Sequence, residues 1–285
     1  MKRSAADESL DAVVLPDGLE TIGSRAFAGS GVTSVNLPAS LTYIADDAFE
    51  GTNLVNVDVE ENCYAYRWAV EHGFLGWEWR RLPDDTIEIL AYSGNLSTIM
   101  VPSRISGYPV KSIGSQAFSG NPSMRSVSVP DGVTDIGNKA FYDCPKLREV
   151  NLPDTVRSIG TQLFCYCPQL TRVNIPIHIT ELPRAMFMCC ENLNSIVIPD
   201  GVTTIGKSVF YGCSNLSSVT VPDSVTTIGQ TAFHDCSHLE YLALSANVTS
   251  IYDDTSFSGC ELLVIDAPEG SCAYIWAQRN GMLAQ

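Results

Sequence analysis

Ten cysteines in a 285-residue chain raise three kinds of chemistry: disulfide formation, metal binding and thiol nucleophilicity. Cys144, Cys167, Cys190, Cys213 and Cys236 recur every 23 residues, and Cys260 falls one residue out of step. A bridge wants Cβ atoms roughly 3.5–4.5 Å apart and aimed at each other. Equivalent side chains on stacked strands instead run parallel, about 4.7–4.9 Å apart. The spacing therefore predicts a column of buried free thiols. Cys63, Cys165, Cys189 and Cys272 lie off that column, and a Cys165–Cys189 bridge is the alternative left open.

His234-x-Cys236-x-His238 has the residue types of part of a zinc site. Cys236 belongs to the thiol column, however, so its neighbours should point elsewhere. His72 and His178 belong to other parts of the pattern, and no catalytic histidine cluster is expected. The sequence has no Gly-x-Ser-x-Gly, no His-Glu-x-x-His and no phosphate-cradling glycine loop. The acidic pairs Asp46-Asp47 and Asp253-Asp254 each follow an isoleucine at a turn position and fit solvated turns better than calcium ligation. The expectation is no metal, no cofactor and no enzymatic activity.

Net charge is −15, and both parts of the chain are acidic: −9 over residues 1–85 and −6 over 86–285. That balance argues against sequence-independent attraction to nucleic acid or an anionic bilayer. No apolar run approaches the roughly 20 residues that span a membrane. Met1-Lys2-Arg3 leads into Ser4-Ala5-Ala6-Asp7-Glu8-Ser9, which is no apolar signal core. This fits a cytoplasmic protein or a chain lacking its secretion signal.

The elements that must hold these residues come from one repeat. From Leu147 the chain reads Leu147-x-x-Val150-x-Leu152-Pro153-x-x-Val156-x-x-Ile159-Gly160-x-x-x-Phe164-x-x-Cys167. Three further shifts of 23 reproduce it through Phe187, Phe210 and Phe233. Self-similarity at a fixed period marks a stacked repeat architecture. Val-x-Leu alternates as a strand with one buried face. The proline ends the strand because it cannot donate to a ladder. The Val-Ile-Phe cluster then returns along the opposite wall as turns or short helix. No unit buries its apolar face alone, so neighbours must stack into one core.

The same unit begins at Leu10 and Val32, where Phe27 and Phe49 are in register. A non-repeat element occurs twice, at Tyr66-Arg67-Trp68-Ala69 and Tyr274-Ile275-Trp276-Ala277, and fits a short capping helix ended by glycine. Two arrays follow: residues 1–82, with earlier repeats lost before Leu10, and residues 83–285, opened by the strand Thr86–Gly94 and interrupted by an insertion around Ser106–Pro109. The predicted fold is a strand-rich α/β solenoid of about 23-residue leucine-rich repeats. Its parallel sheet lies on the concave side, with short turns or helices on the convex side.

The unit Pro-x-x-Val-x-x-Ile-Gly-x-x-Ala-Phe-x-x-Cys-x-x-Leu-x-x-Val-x-Val resembles the BspA-like class of leucine-rich repeats. Tyr92, Gly94, Ile105, Gly107, Pro109 and Val110 of the opening, and the Trp-Ala…Gly caps, are similar to that family too. The resemblance implies a surface or secreted protein of bacteria or parasitic protists, some members being adhesins for host matrix or other cells. Leu182-Pro183, standing where other units have Ile-Gly, departs from the pattern.

If binding uses the sheet face, the ligand meets the side chains flanking each buried valine. The expected set is Glu149, Asn151, Arg172, Asn174, Thr220 and Tyr241, led by Arg172 and Tyr241 because binding hot spots favour Arg and Tyr. The partner would be a protein, such as host matrix or another cell surface, or a glycan, met by a monomer. The alternative is a structural spacer or targeting segment of a larger surface protein with no strong ligand of its own.

Overall fold

The computed structural model describes residues 12–284 apart from 53, 55, 61, 62, 73, 95, 106 and 107. Leu10, and Ser106–Gly107 of the insertion, lie outside the described residues.

Each turn contributes a short strand to a front sheet at its Val-x-Leu segment. Ser126–Ser128, Glu149–Asn151 and Arg172–Val173 pair in parallel, with Val127, Val150 and Val173 in register. A second parallel ladder forms where the sequence predicted turns or short helix. Its two-residue strands are Asp135–Ile136, Ser158–Ile159, Glu181–Leu182, Thr204–Ile205, Thr227–Ile228 and Ser250–Ile251. A polar residue followed by isoleucine or leucine supplies each strand, with the aliphatic side chain facing the core. Trp77–Arg81 closes the near end of the longer array by pairing antiparallel with Ile87–Tyr92. Arg104–Ile105 folds back on Tyr108–Ile113 beside it.

The third wall is a polar backbone ladder carried by turns. Gln162, Phe164 and Tyr166 donate their N–H groups to Arg184, Met186 and Met188 of the next turn, at 2.8–2.9 Å. Gln162 and Tyr166 take φ values of 59° and 60°, which curls this arc. Glycine occupies the position of Tyr166 in other turns, as Gly120 and Gly212 with φ near 70°.

Inside the arc, Phe118, Phe141, Phe164, Phe187, Phe210, Phe233 and Phe257 stack face to face with centroids 5.1–5.5 Å apart. All are buried. Trp276, on the helix Cys272–Arg279, covers the far end at 5.2 Å from Phe257. Ser271 caps that helix by accepting from Tyr274 N–H, and Gly281 follows it with φ 71°. In the shorter array Phe27 stacks on Phe49, and Trp68 of the helix Tyr64–Glu71 lies 5.7 Å from Phe49. Two separate clusters of buried side chains result, one drawn from Leu15 to Ala69 and one from Ile87 to Ala277.

Three local breaks interrupt the strand ladders. Gly160 and Gly206 donate to Ile136 O and Leu182 O in the second ladder. Pro183 stands at the equivalent position and has no N–H for Ile159, so the ladder breaks between Ser158–Ile159 and Glu181–Leu182. The front sheet breaks one turn later, between Arg172–Val173 and Ser195–Val197, and again between Ser218–Thr220 and Tyr241–Ala243. The phenylalanine stack runs through all three.

Candidate functional site on the front sheet

Alternation along each front strand fixes which side chains face solvent. Val150, Val219 and Leu242 are buried, and Glu149, Asn151, Thr220 and Tyr241 beside them are exposed. Arg172 and Asn174 flank Val173 in the same way and are also exposed. All six expected residues therefore lie on one face.

Four of them come together. Glu149, Asn151, Arg172 and Asn174 line a shallow depression of about 620 Å³, with Ile177 and Val197 on its far side. It lies over the first break in the front sheet. Glu149 and Arg172 are register partners on neighbouring strands. The Arg172 guanidinium has no hydrogen bond or ion pair among the described residues. Thr220 and Tyr241 lie outside the depression.

Asn174 is engaged in the fold itself. Its amide donates to Leu152 O at 2.6 Å and its Oδ1 accepts from Leu152 N–H at 2.9 Å. The side chain thus supplies a ladder contact that backbone makes elsewhere, as Asn151 O does for Val129 N–H. Tyr241 donates its hydroxyl to Asp266 Oδ2 at 2.8 Å, and that hydrogen bond raises the phenol's pKa.

The thiol column forms, and all ten cysteines are free thiols in the structure. Cys260 joins the column despite its offset in sequence: its thiol donates to Phe233 O at 3.0 Å. The extra residue is taken up by the 3-10 turn Asp254–Phe257. Cys236 donates to Phe210 O, whereas the rings of His234 and His238 contact Ser258 O and Ser214 O. These three residues do not converge, and among the described residues no group of three His, Cys, Asp or Glu side chains is placed to hold a metal. Asp253 caps the 3-10 turn by accepting from Thr255 N–H.

One feature escaped the sequence. A cavity of about 450 Å³ is walled by Phe49, His72 and Phe74 on one side and Trp77, Tyr92 and Met100 on the other. Met100 is 76% exposed at the end of its strand. The doubled aromatic cap was its trace in the sequence, but a repeat pattern does not show a cavity.

The stacked turns, the paired parallel ladders and the helical caps define a leucine-rich-repeat solenoid. A model of the BspA type leucine rich repeat region matches in six copies over residues 4–68, 88–215 and 180–275. The chain belongs to that family, whose repeats are typical of surface proteins and protein interaction. Among solved structures it is similar to a leucine rich cell surface protein from Faecalibacterium prausnitzii A2-165, at 34% identity and TM-score 0.61. That match covers 67% of this chain and 53% of the other, so it spans about half of the Faecalibacterium protein. A leucine-rich repeat protein from Bacteroides ovatus ATCC 8483 shares the fold at 24% identity and TM-score 0.56, with 90% and 72% of the two chains covered. No curated protein matches the chain. No helix among the described residues is long and apolar enough to cross a membrane.

Proposed function

We propose that this chain is a non-enzymatic recognition module of a cell surface, binding a protein or glycan partner through its front sheet, with adhesion as its role. The depression around Arg172 carries the reading. A cation with no partner stands beside a carboxylate and two exposed aliphatic side chains, over the place where the ladder opens. Such a site offers charge, hydrogen-bond donors and apolar area on a rigid frame, so little ordering entropy opposes binding. The similarity to a cell surface protein of Faecalibacterium supports a location outside the cell. The family is generally non-enzymatic, in keeping with this reading.

A second reading has its own support. Ser126, Ser128, Ser195 and Ser218 give much of the face short side chains, and Asn174 and Tyr241 are occupied within the fold. These fit a spacer that presents other parts of a larger surface protein. Probing arrays of matrix proteins and glycans with the fluorescently labelled chain separates the two. Saturable binding to a defined partner supports recognition; a chain that binds nothing on either array is a spacer.

A further inference from the structure

Resting on the front sheet as the recognition surface, the partner's chemistry follows from what lines the sheet's C-terminal rim. Most front strands of the longer ladder run into a proline, and an acidic residue commonly follows: Asp131, Asp154, Asp200, Asp223 and Glu269. All five are exposed. Two depressions open along this rim, one of about 470 Å³ lined by Asp131 and Asp154, the other of about 350 Å³ lined by Asp223 and Asp266. The carboxylates of Asp131, Asp154 and Asp223 have no hydrogen bond or ion pair among the described residues. Those on the opposite arc are engaged: Asp235 with His234, Asp253 with Thr255, Asp254 with Asn280. From Ser208 to Gln278 the chain has eight acidic residues and no lysine or arginine. Beside the rim, the solvent side of the sheet exposes Val197 (67%), Tyr241 (52%) and Val264 (38%).

We propose that this rim docks an extended, cationic segment of a partner protein, with basic side chains seated in the two acidic depressions and apolar ones on the exposed sheet residues. Over residues 208–278 the field is of one sign, which raises the local concentration of an oppositely charged partner and speeds encounter. The apolar side chains then hold what the field collects. The depressions are four to five turns apart, roughly 20 Å at the strand spacing. An extended chain covers that distance in about six residues. The Arg172 depression lies between them, so a segment with basic groups at both ends and an acidic or neutral middle fits best. The segment runs along the solenoid axis, across the strands.

Fluorescence anisotropy tests this with a labelled extended peptide of about twelve residues carrying lysine pairs about six residues apart. Its counterpart has glutamate in place of each lysine. The lysine peptide should bind at least about tenfold more tightly, and raising the salt from low to several hundred millimolar should remove most of that advantage. Asp131→Asn/Asp154→Asn/Asp223→Asn should weaken it about tenfold. Glu191→Gln/Glu240→Gln/Glu261→Gln removes the same charge away from the two depressions and should change binding less than twofold. Equal losses in the two triple variants would reduce the effect to net charge and overturn the proposal, as would equal binding of the two peptides. Should an array partner be lost on changing Arg172 and Tyr241 but not on changing the rim, the front-sheet reading stands and the cationic-segment proposal falls.

Discussion

The thiol of Cys190 donates to the carbonyl oxygen of Phe164, 26 residues earlier, across 3.1 Å. Cys167 N–H also reaches that oxygen, within its own turn. The carbonyl's two lone pairs are therefore both used. The pattern repeats at Cys144, Cys167, Cys213, Cys236 and Cys260, each linking its turn to the phenylalanine of the turn before. Cysteine suits the position because it is small, apolar and still a weak donor.

The first expectation concerns these thiols. Titration of the denatured, unreduced protein with a thiol reagent should find all ten cysteines free, and the native protein should protect the six of the column. Mass mapping that finds four or five disulfides would contradict the stacking geometry.

Stability should also fall at high pH. Burial, with Cys213 nearby, pushes the Cys190 thiol well up, and burial does the same to Cys213. Burial, with Cys189 close by, raises Cys165 to about 11. An unfolded thiol releases its proton near pH 8.5, while the folded one still holds it. The stabilisation is therefore complete below that pH and is lost as pH rises through the folded value. Denaturant midpoints should decline from about pH 9 upward, and more gently in Cys165→Ala. A variant that keeps the full wild-type slope would remove Cys165 as a contributor.

Phe187→Ala and Phe210→Ala each delete a ring stacked between two others in a sealed core. The expected cost is on the order of 3–5 kcal/mol apiece by chemical denaturation. Losses under about 0.5 kcal/mol, the range of ordinary surface substitutions, would refute the assigned core register.

Asn174→Ala separates a structural role from a binding one. Removing the amide leaves Leu152 N–H and O without their partners, which should cost about 1–3 kcal/mol. The loss should appear in the free protein, with no ligand present. An Asn174→Ala protein as stable as wild type would mean the clamp contributes nothing in solution.

Much of the fold was legible because a repeat multiplies weak evidence. One valine between polar residues says little, but Val127, Val150 and Val173 at a constant interval define a strand, its face and its register. The buried phenylalanines followed from the same logic. The second ladder did not, because Thr204-Ile205 is too short to show a period of two. Nor did the effect of Pro183, since the loss of one N–H matters only once Ile159 is known to face it. At the surface, side-chain direction could be read but engagement could not. Asn174 and Arg172 look alike in the pattern, and only coordinates show the first clamped to Leu152 and the second without a partner.

Surface plasmon resonance on any array partner, comparing wild type with Arg172→Ala/Tyr241→Ala, tests front-sheet recognition most directly. Both side chains are exposed, and Tyr241 gives up only a surface hydrogen bond to Asp266, so the double variant should lower its denaturation midpoint little. Affinity should be at least about tenfold weaker, since each truncation removes a hot-spot type of residue. Unchanged affinity in the double variant, with loss on altering Phe74 or Met100 in the cavity wall, would place recognition there and contradict the account.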